Sequence, residues 1–116
     1  MVVGAGTPEE PEALFEDVFV LRDHATLAQL FEAGAVLVAG GGLPEVRGRD
    51  DIIRTATKMW ERERTYIADP RRVLQARDTA LVLGERATNV VRRGKDGSWR
   101  YAITLLEVPK TPARER

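Results

Sequence analysis

Hydrophobic residues recur at helical spacing over the first part of the chain. The dipeptide Thr7-Pro8 supplies an N-cap and a proline for the first turn, and an apolar stripe follows as far as Leu21. Asp23 is placed to cap a second, shorter helix, whose apolar positions extend to Phe31 and which Gly34 ends. The pattern therefore predicts two helices.

A short apolar strand and a strongly amphipathic helix come next. Residues 35–39 are all apolar and lead into the glycines at 40–42, which only a loop tolerates. Asp50 and Asp51 then open a segment in which apolar residues share one helical face. These residues are Ile52, Ile53, Ala56, Met59 and Trp60. We predict a strand followed by a third helix.

Strand-like segments dominate the rest of the chain. They predict strands over residues 72–76, 79–84, 86–92 and 99–106, with a tight turn at Asp96-Gly97 before the last strand. This order indicates an α+β fold, in which three N-terminal helices pack on one face of a curved antiparallel or mixed sheet. The curvature gives the core the shape of a cone.

The pattern of the last predicted strand, residues 99–106, indicates that a second copy of the chain packs on the sheet. Strict alternation places the odd-numbered residues from Trp99 to Leu105 on one face, and Ala102, Thr104 and Leu106 on the other. Both faces are largely apolar, which is typical of a strand covered on both sides. Helices cover only one face of the sheet, so we expect a second copy of the chain to cover the outer face in a homodimer.

Composition is that of one ordinary globular domain. The chain has 116 residues, of which 43% are hydrophobic and 31% charged. We expect a flexible leader over residues 1–7, one domain over 8–108 and a charged tail over 109–116. The chain has no cysteine and one histidine, so we expect no disulfide and no metal site. The function that we expect also requires no cofactor.

Charge gives little reason to expect a nucleic acid or a membrane as partner. Eighteen basic residues balance eighteen acidic ones, and no apolar run reaches the ~18 residues of a membrane span. We expect a soluble cytoplasmic protein. A stripe formed by Arg71, Arg92 and Arg100 leaves nucleic-acid binding as the last of three functional hypotheses.

Four segments carry a resemblance to a known family. They are Leu30–Val38, Val46–Ile53, Asp78–Glu85 and Val91–Tyr101, and in this order they resemble the nuclear transport factor 2-like superfamily. Within it, the chain resembles the SnoaL-like and ketosteroid isomerase-like small proteins. The resemblance covers Pro8 to Val108 and implies a cystatin-like cone, frequent homodimers and an interior pocket for an apolar or aromatic small molecule. Proteins of this kind include cofactor-free isomerases, cyclases and dehydratases, so the resemblance implies that this chain could have such an activity.

The resemblance places few catalytic groups in this chain. Ala39 stands where ketosteroid isomerases have their general-base aspartate, Phe15 where they have a tyrosine, and Asn89 where they have a protonated aspartic acid. Proton abstraction needs a base within hydrogen-bond reach, so steroid isomerisation is not expected. Whether the chain is an enzyme stays open.

Asn89 is the candidate catalytic residue. An inward amide can donate to a carbonyl or an oxyanion, and the alternative is an amide that satisfies neighbouring backbone groups. Thr104 is a candidate ligand contact on the same concave face, with a purely structural hydroxyl as the alternative. Either residue could therefore serve a ligand or the fold.

Apolar candidates complete the expected site. Phe15 and Val91 line it, and Trp60 and Tyr66 either rim its mouth or belong to the core. His24 lies on a surface turn without an orienting acidic partner, which makes it a poor candidate base.

The rival function is a dimerisation or interaction module whose interior is filled by side chains. A cavity of roughly 300 Å³ or more would favour a ligand. The short link between Gly84 and Ala87, where relatives have a longer hairpin, predicts a shallower cone or one long bent strand.

Overall fold

The computed structural model describes residues 5–39, 44–62 and 68–106. Its elements, in chain order, are α1 (Glu10–Leu21), α2 (His24–Gln29), β1 (Phe31–Val38), β2 (Val46–Arg47), α3 (Arg49–Arg62), β3 (Pro70–Ala76), β4 (Thr79–Gly84), β5 (Ala87–Arg93) and β6 (Trp99–Leu106).

The strands form one mixed six-stranded sheet in the order β2-β1-β6-β5-β4-β3. β1 and β6 run parallel, and the other neighbouring pairs are antiparallel. The predicted α+β class is confirmed, but α3 follows β1 and β2, so the helices do not all precede the sheet. Glu85 and Arg86 join β4 to β5 in a short antiparallel hairpin, which excludes one long bent strand.

The observed helix ends agree only in part with those predicted from capping residues. α1 starts at Glu10, with Glu9 at its N-cap, rather than directly after Thr7. The predicted cap of α2 is confirmed, because the Asp23 carboxylate accepts a hydrogen bond from the Thr26 amide at 3.1 Å. That bond satisfies one of the free amides of the first turn.

Phe31 begins β1 and does not continue α2. The Leu30 carbonyl accepts from the Tyr101 amide at 2.7 Å, and Phe31 pairs with Tyr101 in the parallel register. Sheet pairing with β6 therefore overrides the helical pattern. Gly34, which was expected to end a helix, lies within β1, where the register shifts between Phe31 and Val36.

The prediction that residues of β6 alternate strictly between the two faces is wrong. Val91 pairs with Tyr101 but Val90 pairs with Ile103, so Ala102 is an extra residue in a β-bulge. The bulge places Trp99 and Tyr101 on the buried face together with Thr104 and Leu106, while Ile103 and Leu105 are 42% and 41% exposed.

The core lies between the helices and the inner face of the sheet. Ala5, inside the span predicted as a flexible leader, is buried and pairs with Trp99 through a bridge. Its carbonyl accepts from the Trp99 amide at 2.9 Å. The first described residues thus pack against the start of β6.

Candidate functional site

Asn89 lies at the centre of the inner face. It pairs with Val82 on β4 and Thr104 on β6, and Ala87 and Val91 precede and follow it on the same side of β5. All five residues are buried, and Asn89 and Thr104 are each 1% exposed. The sheet therefore brings the two predicted polar residues together on an otherwise apolar surface.

These side chains have unmet hydrogen-bonding capacity. Within the described part of the chain, the amide nitrogen and oxygen of Asn89 have no hydrogen-bond partner. The hydroxyl of Thr104 has none there either. A buried polar group left unpaired costs about 1–3 kcal/mol, and most such groups in native proteins are paired. The described backbone groups therefore do not satisfy the Asn89 amide.

A buried carboxylate lies above the same face, and the sequence analysis missed it. Glu12 of α1 is 3% exposed, and the Tyr101 hydroxyl donates a hydrogen bond to its carboxylate. Tyr101 pairs with Val91, which is the next inward-facing residue of β5 after Asn89. The signal was present, because Glu12, Phe15 and Phe19 follow one another at helical spacing on the buried side of α1.

Aromatic rings connect the helices to this face. Phe15 makes edge-to-face contacts with Phe19, Phe31 and Tyr101, at centroid distances of 5.2, 6.2 and 6.0 Å. Phe15 and Val91 are buried where the site was expected. This half of the interior is therefore a packed aromatic cluster.

Trp60 continues the aromatic contacts towards the end of α3. Its ring lies 6.2 Å from that of Phe19 and 5.0 Å from that of His24, and the guanidinium of Arg22 lies over it at 5.5 Å. Trp60 is 5% exposed, and its buried indole nitrogen has no hydrogen-bond partner among residues 5–39, 44–62 and 68–106. Trp60 is thus a core aromatic with an unpaired donor.

The remaining predicted positions add no chemistry. Tyr66 lies outside the described residues. Ala39 directly follows β1 and is half-buried. The His24 ring lies 5.0 Å from the Trp60 ring.

A surface cleft of about 500 Å³ lies at the start of α3, away from the Asn89–Thr104 pair. It is lined by Ala33, Arg47, Gly48, Arg49, Asp50, Asp51 and Arg54. Two of its arginines form ion pairs, Arg47 with Glu45 and Arg54 with Asp51. Mixed charges leave it without a distinctive chemistry.

The predicted basic stripe is largely neutralised. Arg71 pairs with Asp69 and Glu85, Arg92 with Glu32, and Arg100 with Asp96. Side-chain hydrogen bonding from Arg100 holds the pKa of Asp96 well below its usual value. These pairs weaken the nucleic-acid hypothesis, because counterion release requires unpaired cations.

Metal-binding clusters and membrane-spanning helices are absent from the described residues. These residues contain no cluster of three or more His, Cys, Asp or Glu side chains that could hold a metal ion. None of the helices within these residues has the length and apolar character needed to cross a membrane.

The outer face of the sheet is apolar. One row of paired residues crosses it through Val36, Ile103, Val90, Leu81 and Leu74. A second row runs through Val38, Leu105, Thr88 and Leu83. We call these residues the outer apolar face. They are half-buried or exposed, whereas the inner residues of the same strands are mostly buried.

No protein-family model matches the chain, and no curated protein matches its sequence. Solved structures do match its three-dimensional structure. An NTF2-like family protein from Streptomyces avermitilis, described as a candidate dehydratase, is 20% identical with a TM-score of 0.67, over 88% of this chain and 93% of that one.

Two further matches carry different functional descriptions. A ketosteroid isomerase-like protein from Erwinia carotovora atroseptica is 17% identical with a TM-score of 0.67, over 88% of this chain and 95% of that one. A candidate calcium/calmodulin-dependent protein kinase type II association domain from Thiobacillus denitrificans is 16% identical with a TM-score of 0.74, over 93% and 99%. These similarities show an NTF2-like, cystatin-like fold, which confirms at that level the resemblance seen in the sequence.

Proposed function

We propose that the chain binds a small apolar or aromatic molecule inside the cone and holds one polar group of that molecule with Asn89 and Thr104. The observation that carries the proposal is the pair itself: adjacent polar side chains, each 1% exposed, with no hydrogen-bond partner in the described structure. A ligand that completes these bonds removes the cost of leaving them unmade.

The pair suits a hydroxyl or carbonyl group on the ligand. The amide of an asparagine offers two N–H donors and a carbonyl acceptor, and the hydroxyl of a threonine can donate or accept a hydrogen bond. Val82, Ala87 and Val91 surround the pair with aliphatic surface, which matches an apolar body. The preferred ligand is therefore mostly hydrophobic with one polar end at this point.

A catalytic form of the proposal needs no cofactor. Asn89 would stabilise a developing oxyanion, and Glu12 is the buried carboxylate that the interior offers in place of the aspartate missing at Ala39. Isomerase, cyclase and dehydratase reactions all use a positioned acid or base of this kind. Fold similarity cannot choose between catalysis and binding, since one similar structure is described as an association domain.

The proposed assembly is a homodimer formed through the outer apolar face. Three residues on this face, Leu74, Ile103 and Leu105, are between 41% and 45% exposed, and contiguous exposed apolar residues mark interaction surfaces. A second copy presents the same face about a two-fold axis. The Arg92–Glu32 pair borders the apolar rows with charge, as in the polar rim of an interface.

A cytoplasmic site of action fits the composition. The chain contains no cysteine, whereas small secreted domains commonly rely on disulfides.

Substitution of Asn89 tests the binding site. Asn89→Leu removes the amide and keeps a side chain of similar size, so we expect affinity for 5-indanol or 4-hydroxybiphenyl, measured by calorimetry, to fall about tenfold or more. Thr88→Val is the control, because Thr88 lies on the outer side of the same strand and should leave affinity unchanged.

The rival interpretation predicts a different result. If the interior is simply filled, Asn89→Leu changes only the free energy of unfolding, and neither phenol binds to the wild-type protein in the interior. That result would overturn the ligand proposal in favour of an interaction module.

A further inference from the structure

Trp60 presents an unpaired donor at a second place in the interior. Its indole nitrogen is buried and has no hydrogen-bond partner in the described residues, as is also true of Asn89 and Thr104. Trp60 lies on α3, whereas the polar pair lies on β5 and β6. The unmet hydrogen-bonding capacity is therefore divided between a helix and the sheet.

Solvent does not reach this indole nitrogen. Arg22 and His24 lie against the ring, and Phe19 contacts it edge to face. The guanidinium of Arg22 also donates to the Trp60 carbonyl at 3.0 Å, which fixes the arginine beside the ring. The described residues supply no acceptor for this buried N–H.

The two sites are linked by aromatic side chains. Ring contacts lead from Trp60 to Phe19, from Phe19 to Phe15 and from Phe15 to Tyr101. Tyr101 belongs to the same face of β6 as Thr104. A continuous series of ring contacts thus connects Trp60 to Tyr101, on the face that carries the polar pair.

We propose that Trp60 forms a second polar subsite, so that the ligand is an apolar ring system with a polar group at each end. The indole N–H donates and cannot accept, so the group facing Trp60 must be an acceptor such as a carbonyl oxygen. The other end carries the hydroxyl or carbonyl group held by Asn89 and Thr104. This inference rests on the proposed function and narrows its ligand class.

Matched phenols test the subsite. One pair is 5-indanol and 5-hydroxy-1-indanone, and the other is 4-hydroxybiphenyl and 4-acetyl-4′-hydroxybiphenyl; the second member of each pair adds a carbonyl at the far end. One neutral hydrogen bond predicts about fivefold tighter binding of at least one of these ketones than of its partner.

The indole N–H signals report where the ketone binds. The chain has two tryptophans, so a nitrogen-15 spectrum of the intact protein contains two indole signals. We expect the Trp60 signal to move downfield with the ketone and not with its parent phenol. The Trp99 signal is the internal control, because Trp99 lies at the start of β6 beneath Ala5.

An isosteric replacement provides the second measurement. Benzothienylalanine at position 60 keeps the ring shape and replaces the N–H with sulfur, so it should abolish the ketone's advantage and leave the parent phenol's affinity unchanged.

The outcomes separate this inference from the proposed function. If phenol and ketone bind equally, depend on Asn89 and leave the Trp60 signal unmoved, the second subsite is wrong and the first stands. If no phenol binds in the interior, both proposals fail.

Discussion

Single residues carry the function proposed for this fold. Asn89 and Thr104 matter because both are buried and have no hydrogen-bond partner in the described part of the chain, a property that follows from where the sheet places them. Their positions on the inner face could be predicted from strand alternation, and their unpaired state could not, because it depends on every neighbouring element. Glu12 was missed since an acidic residue in the first turn of a helix is ordinarily explained by the helix dipole.

Two arginines with left-handed backbone conformations allow a matched prediction. Arg22 and Arg77 have φ angles of 54° and 57°. In this region the Cβ atom of an arginine causes steric strain, and a glycine, which has no Cβ, avoids it. Arg77 is exposed in the β3–β4 turn, so Arg77→Gly should raise the free energy of unfolding by about 0.5–1 kcal/mol.

Arg22→Gly should have the opposite effect. The Arg22 guanidinium donates to the carbonyls of Phe19 at 2.6 Å and Trp60 at 3.0 Å, near the ends of α1 and α3. Loss of these bonds should outweigh the relieved strain and lower the free energy of unfolding by about 1–2 kcal/mol. Urea titrations of both variants measure the difference, and equal effects of the two substitutions would contradict this role for Arg22.

At the scale of elements, the sequence predicted most helices and strands but not their irregularities. The capping signal at Asp23 is local and was correct. Phe31 and Ala102 were misjudged because their conformations depend on pairing with β6 and β5, which is not a local property. A bulge at Ala102 changes the face on which the residues before it lie, and no residue type in the sequence signals it.

The cap of α2 predicts a pH dependence of stability. Hydrogen bonds from Thr26, first from its side chain and then from its amide, lower the pKa of Asp23 in the folded protein. The stabilisation is therefore present above the unfolded pKa of about 3.9 and is lost as the pH falls through the lower folded value.

Substitutions at Asp23 isolate this contribution. Asp23→Asn keeps a capping acceptor and should remove this part of the pH dependence, while Asp23→Ala should also destabilise the protein at pH 6. Denaturant titrations at pH 2, 4 and 6 measure both effects. Identical pH profiles for the wild type and Asp23→Asn would refute the assignment.

At the scale of the whole molecule, the two faces of the sheet have different proposed roles. We propose that the inner face binds the ligand and that the outer apolar face joins two copies. The overall α+β cone could be predicted from the sequence because it follows from the order of elements. The partition of β6 between the two faces could not, because it depends on the bulge.

Charge on the outer face should separate the two copies. Ile103→Lys places a cation within the outer apolar face, so we expect a monomer by light scattering at concentrations where the wild type is a dimer. Val20→Lys is the control, because Val20 is 62% exposed on α1, away from the sheet. A wild-type protein that is already monomeric at those concentrations would refute the proposed interface.

The central claim is that Asn89 and Thr104 hold a ligand inside the cone. A crystal structure of the protein soaked with 5-indanol tests it most directly. We predict the phenol oxygen within about 3.0 Å of both the Asn89 amide and the Thr104 hydroxyl. An interior closed by side chains, with the Asn89 amide bonded to protein groups and the phenol absent from the inner face, would contradict the account.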